Sequence, residues 1–217
     1  AWDSVLEAED FEDGFIGRRS AQWIEQVPDD YPWHLFVSFV GPHDPFDPPT
    51  EYADRYREAE MPAAAADDLG GKPRYVQGRH VAAEPEQVAT CRRQYCAAIE
   101  LIDDEVGRIL DALDARGMAE NTVIFFSSDH GEMAGDHGLF TKAVPYDPSM
   151  RVPLIAAGPG IPGGRVTDAM VELIDLNATI CDLAGLPPQE AIDARSLAPV
   201  LRGETEAHRE EVFATLH

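Results

Sequence analysis

Asp129 and His130 stand side by side where an apolar run ends, in FFSSDHGEMAGDHGLFTK, residues 125–142. A carboxylate oxygen and an imidazole nitrogen at one turn can meet a single cation, and Gly131 lets that turn be tight. The same pair also suits an aspartate that starts a turn and a histidine hydrogen-bonded to its neighbour. A divalent ion needs more oxygens than these two residues offer, so further ligands must come from elsewhere. Lys142 closes the stretch, after a loop that can fold back over the strand end. A compact ammonium there suits a tetrahedral anion or a developing oxyanion; an exposed loop lysine is the plain alternative. Among 17 basic residues only Lys72 and Lys142 are lysines, which singles out each of them. His137 is either a further ligand or a structural loop histidine.

A second cluster follows another apolar run, in HLFVSFVGPHDPFDPP, residues 34–49. His43 lies between Pro42 and Pro45, so stiff backbone carries its imidazole at a strand end. Such a ring can bind an anionic oxygen or give a proton to a leaving group. Asp44 and Asp47 beside it either hold its tautomer or face solvent, and solvation is the simpler reading.

These clusters need elements to carry them. HLFVSFV has the near-continuous apolar character of a buried central parallel strand, and NTVIFFSS (121–128) and RVPLIAAG (151–158) read as two more strands. Near the start, DFEDGFIGRRSAQWIEQV puts Phe11, Phe15, Arg19, Trp23 and Val27 on one helical stripe. The clearest helix spans 86–117, with Tyr95, Ile99, Ile102, Val106, Ile109 and Leu113 at three- and four-residue steps and Gly117 as its cap. Its acids Glu100, Asp103, Asp104 and Glu105 read as a solvated face rather than as ligands. LIDLNATICDLAGL predicts a helix ended by Gly185, RSLAPVLRG a short one, and EEVFATLH a last strand. Residues 58–86, with Lys72 and His80, are a weakly patterned surface excursion or lid. Strand, long helix, strand, loop, strand, helix is the order of an α/β sheet covered by helices. Ligands of such sheets gather at the carboxyl ends of strands, and both charged clusters directly follow strands.

Composition narrows the partners. A formal charge of -23 over 217 residues argues against nucleic acid, which needs a cationic surface. It leaves room for a small anionic substrate, because a bound cation can reverse the field locally. No run approaches the length of an apolar membrane span. Cys91, Cys96 and Cys181 form no CxxC pair and read as small apolar residues.

Taken in order, FVSFVGPHDPFDPP, YCAAIELIDDEVGRILDAL, NTVIFFSSDHGEMAGDHGLFTK, RVPLIAAGPGI, VELIDLNATICDLAGLPP and RSLAPVLRGE resemble the sulfatases of the alkaline phosphatase superfamily. The resemblance implies a three-layer α/β sheet flanked by helices, present in part. Residues 1–204 would be roughly the second half of a sulfatase catalytic domain, with 58–86 a variable loop and 205–217 the start of a C-terminal subdomain. It implies a divalent metal held partly by Asp129 and His130: calcium, with manganese or magnesium as alternatives. Lys142 matches the lysine that contacts the ester group, and His43 the histidine that binds sulfate and assists the leaving oxygen. The family nucleophile is a formylglycine made from a Cys or Ser followed by x-Pro-x-Arg. None of the three cysteines here opens that motif, and the paired aspartates that complete the metal site are missing too. Both are therefore expected in an N-terminal part outside these residues, and the chain alone is expected to be inactive.

The activity implied is hydrolysis of a small sulfate ester. Histidine at the second metal position also occurs among relatives that cleave phosphate or phosphonate esters, so a phosphodiesterase or phosphonate monoester hydrolase is the alternative. A non-catalytic α/β binding scaffold is a third reading.

Overall fold

The strongest periodic stretch of the sequence forms one long helix, Pro85–Ala115, in the computed structural model. Glu84 and Gln87 exchange side-chain and main-chain hydrogen bonds as a capping box, and Pro85 fills a first-turn position where no N–H is needed. At the other end Gly117 takes φ +63° and the Met118 N–H donates back to the Leu113 carbonyl at 2.9 Å. That left-handed turn closes the helix as the sequence predicts. The structure describes residues 3–66, 68–187 and 189–214. They form two compact units: one runs to Ala119 and adds Glu132–Lys142, the other comprises Glu120–Gly131 and the residues from Ala143 onward.

In the first unit, α1 (Glu12–Gln26) and α2 (Thr50–Tyr56) pack on the long helix, which is α4; α3 (Arg74–Gln77) is a single turn between them in sequence. The buried faces differ from the predicted stripes. On α1 it is Gly14, Gly17, Ala21 and Ile24 that turn inward, while Phe15 and Trp23 stay exposed. On α4 Ala97, Ala98 and Leu101 join Ile102 and Leu113, and Ile99 is exposed. Close approach is the reason. A side chain at Gly17 would stand 2.3 Å from a Glu105 carboxylate oxygen, so small residues set the contact and bulky ones move to its margin. The helix acids are not simply a solvated face. Glu105 is 3% exposed and accepts from Arg108 at 2.9 Å; Tyr52 donates to Asp104 at 2.7 Å and Arg55 to Glu100 at 2.6 Å.

The 58–86 excursion is tied down. His137 N–H donates to the Ala65 carbonyl (3.1 Å), Val81 N–H to the Gly138 carbonyl (2.8 Å) and Ala65 N–H to the Asp136 carboxylate (2.7 Å). From α4, Arg92 donates to the Pro62 carbonyl (2.8 Å), the Ala134 carbonyl (2.9 Å) and Asp136 (2.7 Å).

The second unit contains β1 (Ile124–Ser127), α5 (Asp147–Met150), β2 (Leu154–Ala157), α6 (Asp175–Leu183) and α7 (Ala198–Leu201). Both strands fall inside segments predicted as strands, but they pair antiparallel, Ile124 opposite Ala157 and Ser127 opposite Leu154. They are not deeply buried, and Phe126 and Ile155 lie opposite each other on an exposed face. The strand predicted at 34–40 is corrected: it joins no ladder among the described residues, and Phe36 is 81% exposed. An apolar pattern cannot make a strand without a paired neighbour to take its backbone hydrogen bonds. No parallel pairing between strands occurs among the described residues. Of the predicted last strand, residues 210–214 are not in a strand and 215–217 lie outside the described residues.

Helix α6 ends at Gly185 as predicted, with φ +67° and a Leu186 N–H donating to the Cys181 carbonyl at 2.8 Å. It begins at Asp175, a fully buried carboxylate. Asp175 accepts from the N–H groups of Glu172 (3.0 Å) and Arg195 (2.8 Å), takes two bonds from Arg209 (2.9 and 2.5 Å) and lies 3.0 Å from His208 Nε2. Burial pushes its carboxyl up, but Arg209 and the two main-chain donors outweigh that and hold it well below the usual carboxylate range. The unfolded chain therefore takes up this proton first on acidification. The contribution of Asp175 to stability is complete above about pH 4 and is lost as the pH falls further. Asp175→Asn is expected to cost about 3 kcal/mol at neutral pH and to flatten the acid limb of the stability curve, as urea unfolding at a series of pH values will show.

Candidate functional site

Asp13, a buried acid in the first turn of α1, sets the position of His43. Its carboxylate accepts the N–H groups of Val40 (2.8 Å) and Gly41 (3.0 Å), and a Cβ on Gly41 would stand 2.3 Å from it. Burial pushes the Asp13 carboxyl up, and these two donors only partly offset the rise. Beyond the clamp the Gly41–Pro42 and Asp44–Pro45 bonds are cis, Pro48 and Pro49 are buried, and Phe46 meets Tyr95 of α4 edge-on at 5.6 Å. On this stiff turn the His43 Nδ1–H donates to the Asp44 carbonyl at 2.8 Å, with the Asp44 carboxylate 3.3 Å from the same nitrogen. Asp44 thus holds the tautomer rather than merely facing solvent. Nε2 is left as an acceptor, and the Lys142 ammonium donates to it.

Lys142 is delivered by a loop of unusual backbone. Ala134, Gly135, His137, Gly138 and Thr141 all have positive φ, at 45°, 94°, 56°, 66° and 64°. For a β-branched residue such as Thr141 this conformation persists only where its surroundings hold it. Glu132 accepts the N–H groups of Ala134 (3.0 Å) and Thr141 (2.5 Å), and Met133 N–H donates to the Thr141 carbonyl (3.0 Å). From outside the loop, Arg79 donates to the Thr141 hydroxyl (3.2 Å) and the Lys142 carbonyl (2.9 Å). The His137 Nδ1 meets the Ala66 carbonyl at 2.7 Å, a further tie between this loop and the 58–86 excursion.

In the other unit, Asp129 and His130 follow β1 directly. The Asp129 carboxylate accepts the His130 N–H at 2.9 Å and is 85% exposed, with Oδ2 3.7 Å from His130 Nε2. The Ser128 hydroxyl donates to the His130 carbonyl at 2.7 Å. Gly131 has no alternative here, because a Cβ would lie 2.0 Å from the Pro148 carbonyl oxygen. His130 Nδ1 lies 2.9 Å from the Gly131 carbonyl. With Nδ1 so engaged, a metal would meet His130 through Nε2, which lies 3.7 Å from an Asp129 carboxylate oxygen. The two residues fit as two members of a ligand set, while no cluster of three or more His, Cys, Asp or Glu side chains occurs among the described residues. The Cys91 and Cys96 thiols are poor nucleophiles: burial and Glu132 push Cys91 up to about 11, and burial raises Cys96.

A family model described as Sulfatase matches residues 11–186. The chain belongs to the sulfatase family. An arylsulfatase of Clostridium perfringens is 30% identical over 208 residues, 91% of this chain and 43% of the relative. A choline-sulfatase of Rhizobium meliloti is 34% identical over 89% of this chain and 41% of its own length. Among solved structures, a phosphonate monoester hydrolase from Silicibacter pomeroyi aligns with TM-score 0.83 at 30% identity, covering 94% of this chain and 44% of that one. The fold is thus of the sulfatase-like α/β class that the resemblance implies, and the chain spans about two-fifths of the length of these relatives.

Asp13, Glu132 and Arg79 escape a reading of the sequence. Glu132 adjoins the Asp-His-Gly block and Asp13 lies on the Gly14–Gly17–Ala21 side of α1, which are the signals that could have found them; Arg79 carries none. Asp13→Ala should leave two main-chain donors without their acceptor and lower stability by roughly 1–3 kcal/mol. It should also release the His43 ring, visible as shifted imidazole resonances; an unmoved ring would show that the turn holds itself.

Proposed function

We propose that the protein is a metal-dependent sulfuric ester hydrolase and that these residues carry part of its site. The supporting observation is the Lys142 ammonium seated on His43 Nε2 across 99 positions of sequence, in a chain of the sulfatase family. In this reading Lys142 contacts an ester oxygen and offsets the negative charge that grows on the transferring group. His43, oriented by Asp44 through Nδ1–H, acts in its doubly protonated form: Nε2–H binds a sulfate oxygen and gives its proton to the leaving oxygen, with the Lys142 ammonium turned from Nε2 to the ester. Asp129 and His130 hold a divalent cation, calcium with manganese or magnesium as alternatives. When bound, such an ion polarises the ester as a Lewis acid. The remaining ligands and a formylglycine nucleophile belong, in this proposal, to polypeptide outside these residues. Residues 1–204 form part of the catalytic domain, 58–86 its variable loop, and 205–217 open a small subdomain.

A second reading, phosphonate monoester hydrolysis, is favoured by the similarity to the Silicibacter pomeroyi enzyme and by an imidazole at position 130. Sulfate and phosphonate monoesters present similar tetrahedra, and neither Lys142 nor His43 separates them. Parallel assays of the full-length protein on nitrophenyl sulfate and a nitrophenyl phosphonate ester distinguish the two, with faster sulfate turnover expected. Lys142→Ala and Asp129→Ala should each lower kcat/KM by about 100-fold or more. Undiminished turnover by Asp129→Ala would remove the metal assignment. The 217 residues alone are expected to show no turnover.

A further inference from the structure

We infer that Arg79 is a positioning residue for Lys142, acting from the 58–86 excursion; this rests on the reading of Lys142 given above. A lysine reaches its target through a flexible four-carbon stem, so aiming its ammonium at His43 Nε2 requires a main chain that does not wander. The residue before it, Thr141, is in the least comfortable backbone conformation for its type, at φ +64°. Two grips hold it there. Glu132 accepts its N–H from within the loop, while one Arg79 nitrogen donates both to its hydroxyl and to the carbonyl of Lys142 itself.

Arg79 is itself anchored. Its N–H donates to the Val76 carbonyl at 3.1 Å, Val76 is fully buried, and Val81 N–H donates to the Gly138 carbonyl at 2.8 Å. The strut therefore runs from a packed turn, through a planar guanidinium, to the peptide that carries the lysine. Without it Thr141 can relax toward extended backbone, and rotation there swings the Lys142 stem away from His43. The excursion is then more than a wall beside the site: it carries a residue on which the aim of Lys142 depends.

The full-length protein carrying Arg79→Ala, Arg79→Lys, Lys142→Ala and the Arg79→Ala/Lys142→Ala pair provides the test. Arg79 is exposed, so these substitutions leave folding intact. Arg79→Ala is expected to lower kcat by about tenfold or more with little change in KM, and Arg79→Lys to recover part of the loss. In the Lys142→Ala background Arg79→Ala should cost nothing further. An equal loss in both backgrounds, or no loss in either, overturns the proposal. A second readout needs no turnover: the acylation rate of Lys142 relative to Lys72, followed by peptide mass spectrometry. Release by Arg79→Ala should raise that ratio several-fold, and an unchanged ratio also overturns the proposal. If Lys142→Ala leaves turnover intact, the functional reading falls instead, and the acylation ratio alone still decides what Arg79 does.

Discussion

The guanidinium of Arg92 turns three segments, far apart in sequence, into one framework. It projects from α4, reaches the main chain at Pro62 and Ala134, and ends on the carboxylate of Asp136. A planar fork with five donors can serve three acceptors at once, which a lysine ammonium at the same place could not do with fixed geometry. Asp136 passes the constraint on by accepting the Ala65 N–H. The long helix is capped at both ends by its own sequence, so it offers a rigid base for this chain of contacts.

The lysine loop is held along its length, at Ala134 and Asp136 by Arg92, at Gly138 by the Val81 N–H and at Thr141 by Glu132 and Arg79. Five residues of left-handed backbone lie between Glu132 and Lys142, and outside such a frame they would relax. The Glu132 carboxylate closes the loop from within by accepting N–H groups at both of its ends. The acidic character of the chain as a whole, at -23, makes the local cations more telling, because Arg79, Arg92 and Lys142 all serve this one loop.

His43 and His130 use the same device on different units. Each places Nδ1 against a main-chain carbonyl of the following residue, at 2.8 and 2.9 Å. One Nε2 receives an ammonium and the other lies beside a carboxylate. The same main-chain contact thus fixes both rings, and the two differ in the side chain that neighbours Nε2, an ammonium at His43 and a carboxylate at His130.

What the sequence by itself determined are features written in hydrogen bonds between near neighbours. The turns at Gly117 and Gly185 are legible for that reason, and the residue types at 43, 129, 130 and 142 stand in the sequence itself. Apolar runs also marked β1 and β2, but neither their antiparallel pairing nor the unpaired state of 34–40, because a ladder depends on a partner that local pattern does not name. The inward faces of α1 and α4 were decided by how closely glycine and alanine let the helices approach, which overrides the bulkier stripe. Only the tertiary structure brought Lys142 to His43, Asp13 to Gly41 and Arg79 to Thr141. Each of those contacts joins residues tens of positions apart, and its geometry is set by everything packed between them.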